Sequence, residues 1–271
     1  MFCSIIASIQ FILRCCYDVQ VIYKLLLLDI DGTLTESKGH ALPSKAVRDA
    51  VQRAQARVQV AVATGRPYSF AQPVVEALGL KGLGIFNGGA EIVDVASTKV
   101  VQRWLLEIET LKELVGLALP FGYDVFTDTN QYSKPLRTPD DIVEPAAKLF
   151  MQAVNKEDAL HVLEQLNGVP AAAAHSTTSW DDGDVVDIHI THVDATKRHG
   201  AERLANMLGV RYEEIIGVGD GHNDVPLLEA VGLKVAMGNA PDEVKAIADY
   251  VAPKLSEDGV ADVIQRYILR D

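Results

Sequence analysis

The chain has 271 residues, 48% of them hydrophobic, enough for one large domain or for a core carrying a smaller insert. A formal net charge of −12, with no basic run, excludes a nucleic-acid-binding surface, which needs clustered Lys and Arg to neutralise phosphates. All three cysteines, Cys3, Cys15 and Cys16, fall at the N-terminus, so the rest holds neither a disulfide framework nor a thiolate metal site, as suits a reducing, cytoplasmic setting.

Residues 1–22 read as an extension outside the fold. The apolar run Phe2 to Leu13 lacks a cationic leader and a small-residue cleavage site. Arg14 and Asp18 interrupt it short of the roughly 20 apolar residues that a membrane span requires.

The first strong element is Leu25 to Leu28, an apolar run without polar alternation, as in a parallel strand covered on both faces. It empties into Asp29-Ile30-Asp31-Gly32-Thr33, where Gly32 lets the backbone turn away. Two carboxylates beyond a strand end suit a nucleophile and a proton carrier, or merely cap a strand-to-helix loop. A helix follows over Ser44 to Arg57, then a strand over Val58 to Ala63 that closes in Thr64-Gly65-Arg66-Pro67. The Thr64 hydroxyl and the next amides can hold a phosphoryl oxygen or cap the following helix. Arg66 either lends charge to a substrate or sits on the surface. A helix from Phe70 to Leu78 and a strand from Leu83 to Phe86, ending at Asn87-Gly88-Gly89, complete a β-α-β-α-β run, the signature of a doubly wound parallel sheet.

The rhythm changes over 88–190, which reads as an inserted α+β domain. Strand-like pieces lie at Glu91 to Val95, Val100 to Trp104 and Tyr123 to Thr127, and helical ones at Leu105 to Leu119 and Asp158 to Leu166. Trp180, Asp181, Asp182 and Asp184 form a polar stretch that either approaches the core or is a solvated loop. His189 and His192 lack partners at ligand spacing and read as structural.

The doubly wound pattern resumes near Thr191. Lys197 and Arg198 open a helix running to Leu208, where the helix dipole disfavours cations unless an anion compensates. A strand from Glu214 to Val218 then empties into Gly219-Asp220-Gly221-His222-Asn223-Asp224. Asp220 and Asp224 are hard oxygen donors suited to Mg²⁺, or else the acidic start of a helix. His222 reads as a loop histidine.

These segments together resemble the haloacid dehalogenase superfamily and, within it, the Cof-type phosphatases with a C2 cap. The likeness runs from Lys24 to the end. It rests on Asp29 to Thr33, Thr64, Lys197 and Gly219 to Asp224, with support from Asn87-Gly88-Gly89 and Met237-Gly238-Asn239-Ala240-Pro241. The resemblance implies an α/β, Rossmann-like core over 23–87 and 191–271 and a cap over 88–190. It implies that Asp29 attacks phosphorus to form an aspartyl-phosphate, that Asp31 serves as acid and then base, and that Thr64 and Lys197 hold the phosphoryl group. Mg²⁺ would sit on Asp29, the Asp31 main-chain carbonyl and Asp220, with Asp224 completing the metal site. Gly32, Gly65, Arg66, Asn87 and Asn239 would contact substrate. Family members often read Lys-Gly, whereas Gly200 here follows two further residues, which keeps Arg198 as a rival to Lys197. The expected activity is Mg²⁺-dependent hydrolysis of a small phosphorylated metabolite, foremost a sugar phosphate. A phosphomannomutase-like transfer and a non-catalytic metabolite-binding protein are the alternatives.

Overall fold

A computed structural model describes residues 22–36, 41–128, 134–179 and 184–270. The N-terminal stretch with its cysteines, and Trp180, Asp181 and Asp182, lie outside the described residues. In chain order the elements are β1 (Leu25–Leu28), α1 (Lys45–Ala54), β2 (Gln59–Val62), α2 (Tyr68–Ala77), β3 (Leu83–Phe86), β4 (Glu91–Asp94) and β5 (Lys99–Arg103). Next come α3 (Ile108–Ala118), β6 (Val125–Thr127), β7 (Lys148–Asn155), α4 (Lys156–Leu166), β8 (Ala172–Thr178) and β9 (Val185–His192). The chain closes with α5 (Lys197–Leu208), β10 (Ile215–Gly219), α6 (Val225–Leu228), β11 (Leu233–Ala236), α7 (Asp242–Ala246), β12 (Tyr250–Val251) and α8 (Gly259–Ile264). No helix among the described residues is long and apolar enough to cross a membrane.

Five strands form a parallel sheet in the order β12-β11-β10-β1-β2. Every residue of β1 is fully buried, and side-chain alternation splits the strand between two apolar layers. Leu26 and Leu28 pack with Val47 and Val51 of α1 and Val260 and Val263 of α8, whereas Leu25 and Leu27 pack with Ala201 and Leu204 of α5. Burying each leucine stabilises the fold by about 1.5–3 kcal/mol, which explains why this strand carries no polar residue until its end. Leu28 pairs with Val218 on one side and Val62 on the other, so the residues just beyond, Asp29, Gly219-Asp220 and Ala63-Thr64, emerge at one edge. Ligands of open α/β sheets bind at that edge.

β3 departs from the parallel arrangement read from sequence. It meets the main sheet only through an Ala63–Ile85 bridge and instead forms an antiparallel sheet with β4 and β5. The last two strands, assigned to the insert by the sequence rhythm, therefore pair with the core. Burial is the cause: Ile92 joins the cluster around Leu25 and Leu27, while Val93 joins that around Leu26 and Leu28.

Beside the main sheet and the small β3-β4-β5 sheet stands a second large sheet, hereafter the second sheet, which has the order β6-β7-β9-β8, is antiparallel, and packs α3 and α4 over its own apolar cluster. In β7, Leu149 and Met151 enter that cluster, and in β9 Ile188 and Ile190 do so. Period-two alternation sends Lys148, Phe150, Gln152, Asp187 and His189 to the opposite face, where they line a cavity shared with the core strand ends. A bulge at Ala153, held by its amide donating to Asp187 Oδ1 at 2.9 Å, bends β7.

Candidate active site

Asp29 stays in register one residue past β1, its amide donating to Val218 O at 3.0 Å. The chain then curls back so that the amides of Thr33, Leu34 and Thr35 all donate to Ile30 O. Gly32 has φ +79°, and a Cβ there would lie 2.0 Å from Asp220 Oδ2. Glycine is thus required twice, for the turn and for the approach of the Asp220 carboxylate. Asp220 is held by the Thr33 hydroxyl at 3.2 Å and the Asn239 amide at 3.3 Å. Asn239 also donates to Gly32 O and accepts from the Leu255 amide, both at 2.9 Å. It braces two loops and is not part of the cavity lining.

Lys197, not Arg198, reaches Asp29. Thr196 caps α5 through the His199 amide, which places Lys197 in the first turn facing the strand ends. Its ammonium, 3% exposed, donates to Asp29 Oδ1 at 2.6 Å and Asp224 Oδ1 at 2.5 Å. Arg198 points away to a surface pair with Glu229. α5 can come this close because Gly89, at φ +114°, lies against its start: a Cβ there would sit 2.1 Å from Thr196 O. Asp224 is fully buried, and its other oxygen accepts the amides of Asp220 at 3.0 Å and Gly221 at 2.9 Å.

Asp29, Asp220 and Asp224 each present an oxygen within 4.8 Å of the others. One ammonium faces three carboxylates in a poorly hydrated place. Burial, then the charge of Asp224, raises Asp29 well above the ordinary carboxylate range and pushes Asp220 up to about 7. Burial works against the charge of Lys197, but Asp224 and Asp29 outweigh it and raise its pKa. This uncompensated, all-oxygen set fits a hard divalent cation such as Mg²⁺. Asp224 has both oxygens engaged, one by Lys197 and the other by backbone amides.

A pH dependence follows. An unfolded aspartate ionises near 3.8, so between that value and about 7 the metal-free native state holds an extra proton on Asp220 and loses stability as pH rises through the window. Binding a cation requires the proton to leave. Mg²⁺ should therefore raise the melting temperature more at about pH 8 than at about pH 5.5, and Asp220→Asn, which removes one of the two raised carboxylates, should shrink that difference. Thermal scans with and without Mg²⁺ check it; an equal shift at both pH values would count against it.

Asp31 stands apart from this cluster. Arg66 clamps it with two bonds, Nε to Oδ2 at 2.9 Å and Nη2 to Oδ1 at 2.5 Å. Far from being a surface residue, Arg66 is only 9% exposed, with its amide donating to Thr64 Oγ1 at 3.1 Å. Thr64 is fully buried at the end of β2. Asn87 does not line the cavity. It backs the Thr64 loop, its amide donating to Arg66 O and that of Gly88 to Thr64 O, both at 3.0 Å, while its side chain donates to Glu91 at 2.9 Å. Its buried Oδ1 has no partner among the described residues.

The cavity, of about 340 Å³, opens over Asp29, Asp31, Gly65, Arg66 and Asp220 and is roofed by the second sheet. The sequence reading expected an inserted domain here but placed no strand over Lys148–Asn155 and treated His189 as structural. The signal was available in the alternation of Lys148, Phe150 and Gln152 with Leu149 and Met151. Lys148 is buried, donates from Nζ to Gly65 O at 3.3 Å, and is lowered to about 8 by burial, against the pull of Asp128, Glu91 and Asp187. Asp184 instead pairs with Lys156 on the surface, and His222 is exposed.

The family description "haloacid dehalogenase-like hydrolase" matches residues 26–138 and 122–264. A 5-amino-6-(5-phospho-D-ribitylamino)uracil phosphatase from Bacillus subtilis is 28% identical over 93% of this chain and 98% of its own length. A phosphoglycolate phosphatase from Methanosarcina mazei is 28% identical over 90% of this chain and 96% of its own length. Among solved structures, a phosphatase of the same superfamily from Bacteroides thetaiotaomicron superposes with a TM-score of 0.75, covering 93% of this chain and 97% of that one at 23% identity, which speaks for the fold. The chain belongs to the haloacid dehalogenase-like hydrolase family and, within it, groups with the phosphatases.

Proposed function

We propose that the protein is a Mg²⁺-dependent phosphomonoesterase that hydrolyses a small phosphorylated metabolite through an aspartyl-phosphate on Asp29. The observation that carries this reading is the Asp29 carboxylate at a strand end, bonded to Lys197, beside Asp220 and Asp224 and open to the cavity. In the first step an Asp29 oxygen attacks phosphorus, the bond from phosphorus to the leaving oxygen breaks, and Asp31 gives that oxygen its proton. In the second step Asp31 takes a proton from water as the water oxygen attacks phosphorus, releasing phosphate and restoring Asp29. Arg66 keeps Asp31 aimed between strand ends and cavity, while Thr64 and Lys197 hold the transferred group. Mg²⁺, held by Asp29, the Asp31 carbonyl and Asp220, would neutralise charge on nucleophile and phosphoryl oxygens. The second sheet, acting as the cap, keeps bulk water from the reacting centre.

The two relatives act on different small phosphate esters by name, a ribitylaminouracil phosphate and phosphoglycolate, so the shared class is the phosphomonoester. A panel of sugar phosphates and other phosphomonoesters, assayed for phosphate release, tests the reading. Release is expected with Mg²⁺ and is expected to fall to background with EDTA. Isomer formation in place of phosphate release would overturn hydrolysis in favour of mutase chemistry, and release unaffected by EDTA would overturn the metal requirement.

A further inference from the structure

The cap wall opposite Asp29 has a distinctive charge balance. Lys148 is the one cation that the second sheet adds to the lining among the described residues. Its ammonium is already engaged by the Gly65 carbonyl. Asp187 carries the opposite charge in the same lining, and Asp128, whose carboxylate accepts the Lys148 amide at 3.0 Å, adds another behind it. Positive charge on this wall is therefore offset before any ligand arrives.

The remaining groups are neutral. His175 and His189 sit on paired positions of β8 and β9 with ring centroids 5.8 Å apart. Burial pushes His175 down to about 4 and His189 well below its ordinary value, so neither supplies an imidazolium. A neutral imidazole offers one donor and one acceptor, as hydroxyl recognition requires. Phe150 completes a flat wall, stacked on Phe126 at 5.1 Å and edge-on to His189 at 6.0 Å. The cavity of about 340 Å³ is roughly ten times the ~30 Å³ share of one water, leaving room for a ring beside a phosphoryl group.

Resting on the phosphomonoesterase reading, we propose that this wall selects uncharged, ring-sized leaving groups, seating a ring face on Phe150 and polar groups on Gln152, Asp187 and His189 while disfavouring a second anion. A carboxylate or second phosphate placed here would lose hydration and face Asp187 without a surplus cation. A hydroxyl-bearing ring meets donors and acceptors that are already dry and oriented.

Two matched pairs test this with the full chain and Mg²⁺: glucose 1-phosphate against glucuronic acid 1-phosphate, and galactose 1-phosphate against galacturonic acid 1-phosphate. The uncharged member of at least one pair is expected to show a kcat/KM at least about tenfold higher than its acid. Gln152→Lys, which adds a cation to the half-buried lining, is expected to narrow that ratio to less than about threefold. Asp29-dependent release that is equal or faster for the acids, or a ratio unmoved by Gln152→Lys, would overturn this selection and leave the phosphatase reading standing. Release from none of the four would overturn the selection, and Asp29-independent release would remove the covalent phosphatase reading beneath it.

Discussion

Asp29→Asn is expected to lower kcat by at least about 10⁴-fold, because the amide is nearly the same size as the carboxylate yet cannot form the phosphoryl bond. The fold should survive. Asp29 is raised well above its ordinary range by burial and by Asp224, so the metal-free protein keeps this carboxylate charged only at a cost, and an amide relieves part of the repulsion. The variant should therefore melt no lower than the parent without Mg²⁺. Steady-state phosphate release and a thermal scan measure both effects. Full turnover by Asp29→Asn would mean that water attacks phosphorus directly and that the strand-end carboxylate has another task.

Lys197→Met should act on stability and rate together. The ammonium joins Asp29 and Asp224, each 2% exposed or less, and removing it leaves two buried carboxylates facing each other with Asp220 nearby. Breaking a buried ion pair on one side typically costs about 3–5 kcal/mol. Loss of a preorganised charge at a phosphoryl site should lower kcat by about 10²–10³-fold. Mg²⁺ should recover part of the stability, because it supplies charge to the same carboxylates, but not the rate. Urea unfolding with and without Mg²⁺, alongside kcat, separates the two. Arg198→Met, by contrast, removes only an exposed pair with Glu229 and should change stability by less than about 1 kcal/mol. If Arg198→Met were the variant that lost turnover, the placement of Lys197 would be wrong.

The parts of the core that deliver carboxylates were legible in the sequence because burial and chemistry coincide there. Leu25 to Leu28 must be apolar to lie between two helical layers, so the abrupt Asp29 marks a strand end without any structure. The same holds for Ile215 to Gly219 before Asp220. Lys197 and Arg198 were harder to separate, since only the phase of α5, set by the Thr196 cap, decides which side chain meets the strand ends. Asn87 and Asn239 sit in loops around the site, yet their side chains serve those loops, a distinction that hydrogen-bond partners make and loop position cannot. β4 and β5 resembled strands in isolation, but strand pairing is a long-range property, and nothing local to Ile92 or Val93 tells which sheet they join. The cap was least legible. β8 had no counterpart in the sequence reading, because its run of small residues shows no strand alternation and it becomes a strand through its pairing with β9.

The proposed mechanism passes through a covalent bond between phosphorus and Asp29, and rapid acid quench of the enzyme during turnover, followed by peptide mass spectrometry, tests for it most directly. The peptide carrying Asp29 should be heavier by one phosphoryl group, and Asp31→Asn, which cannot activate water, should accumulate that species after a single addition of substrate. Steady phosphate release with no phosphoryl adduct in either protein would contradict it.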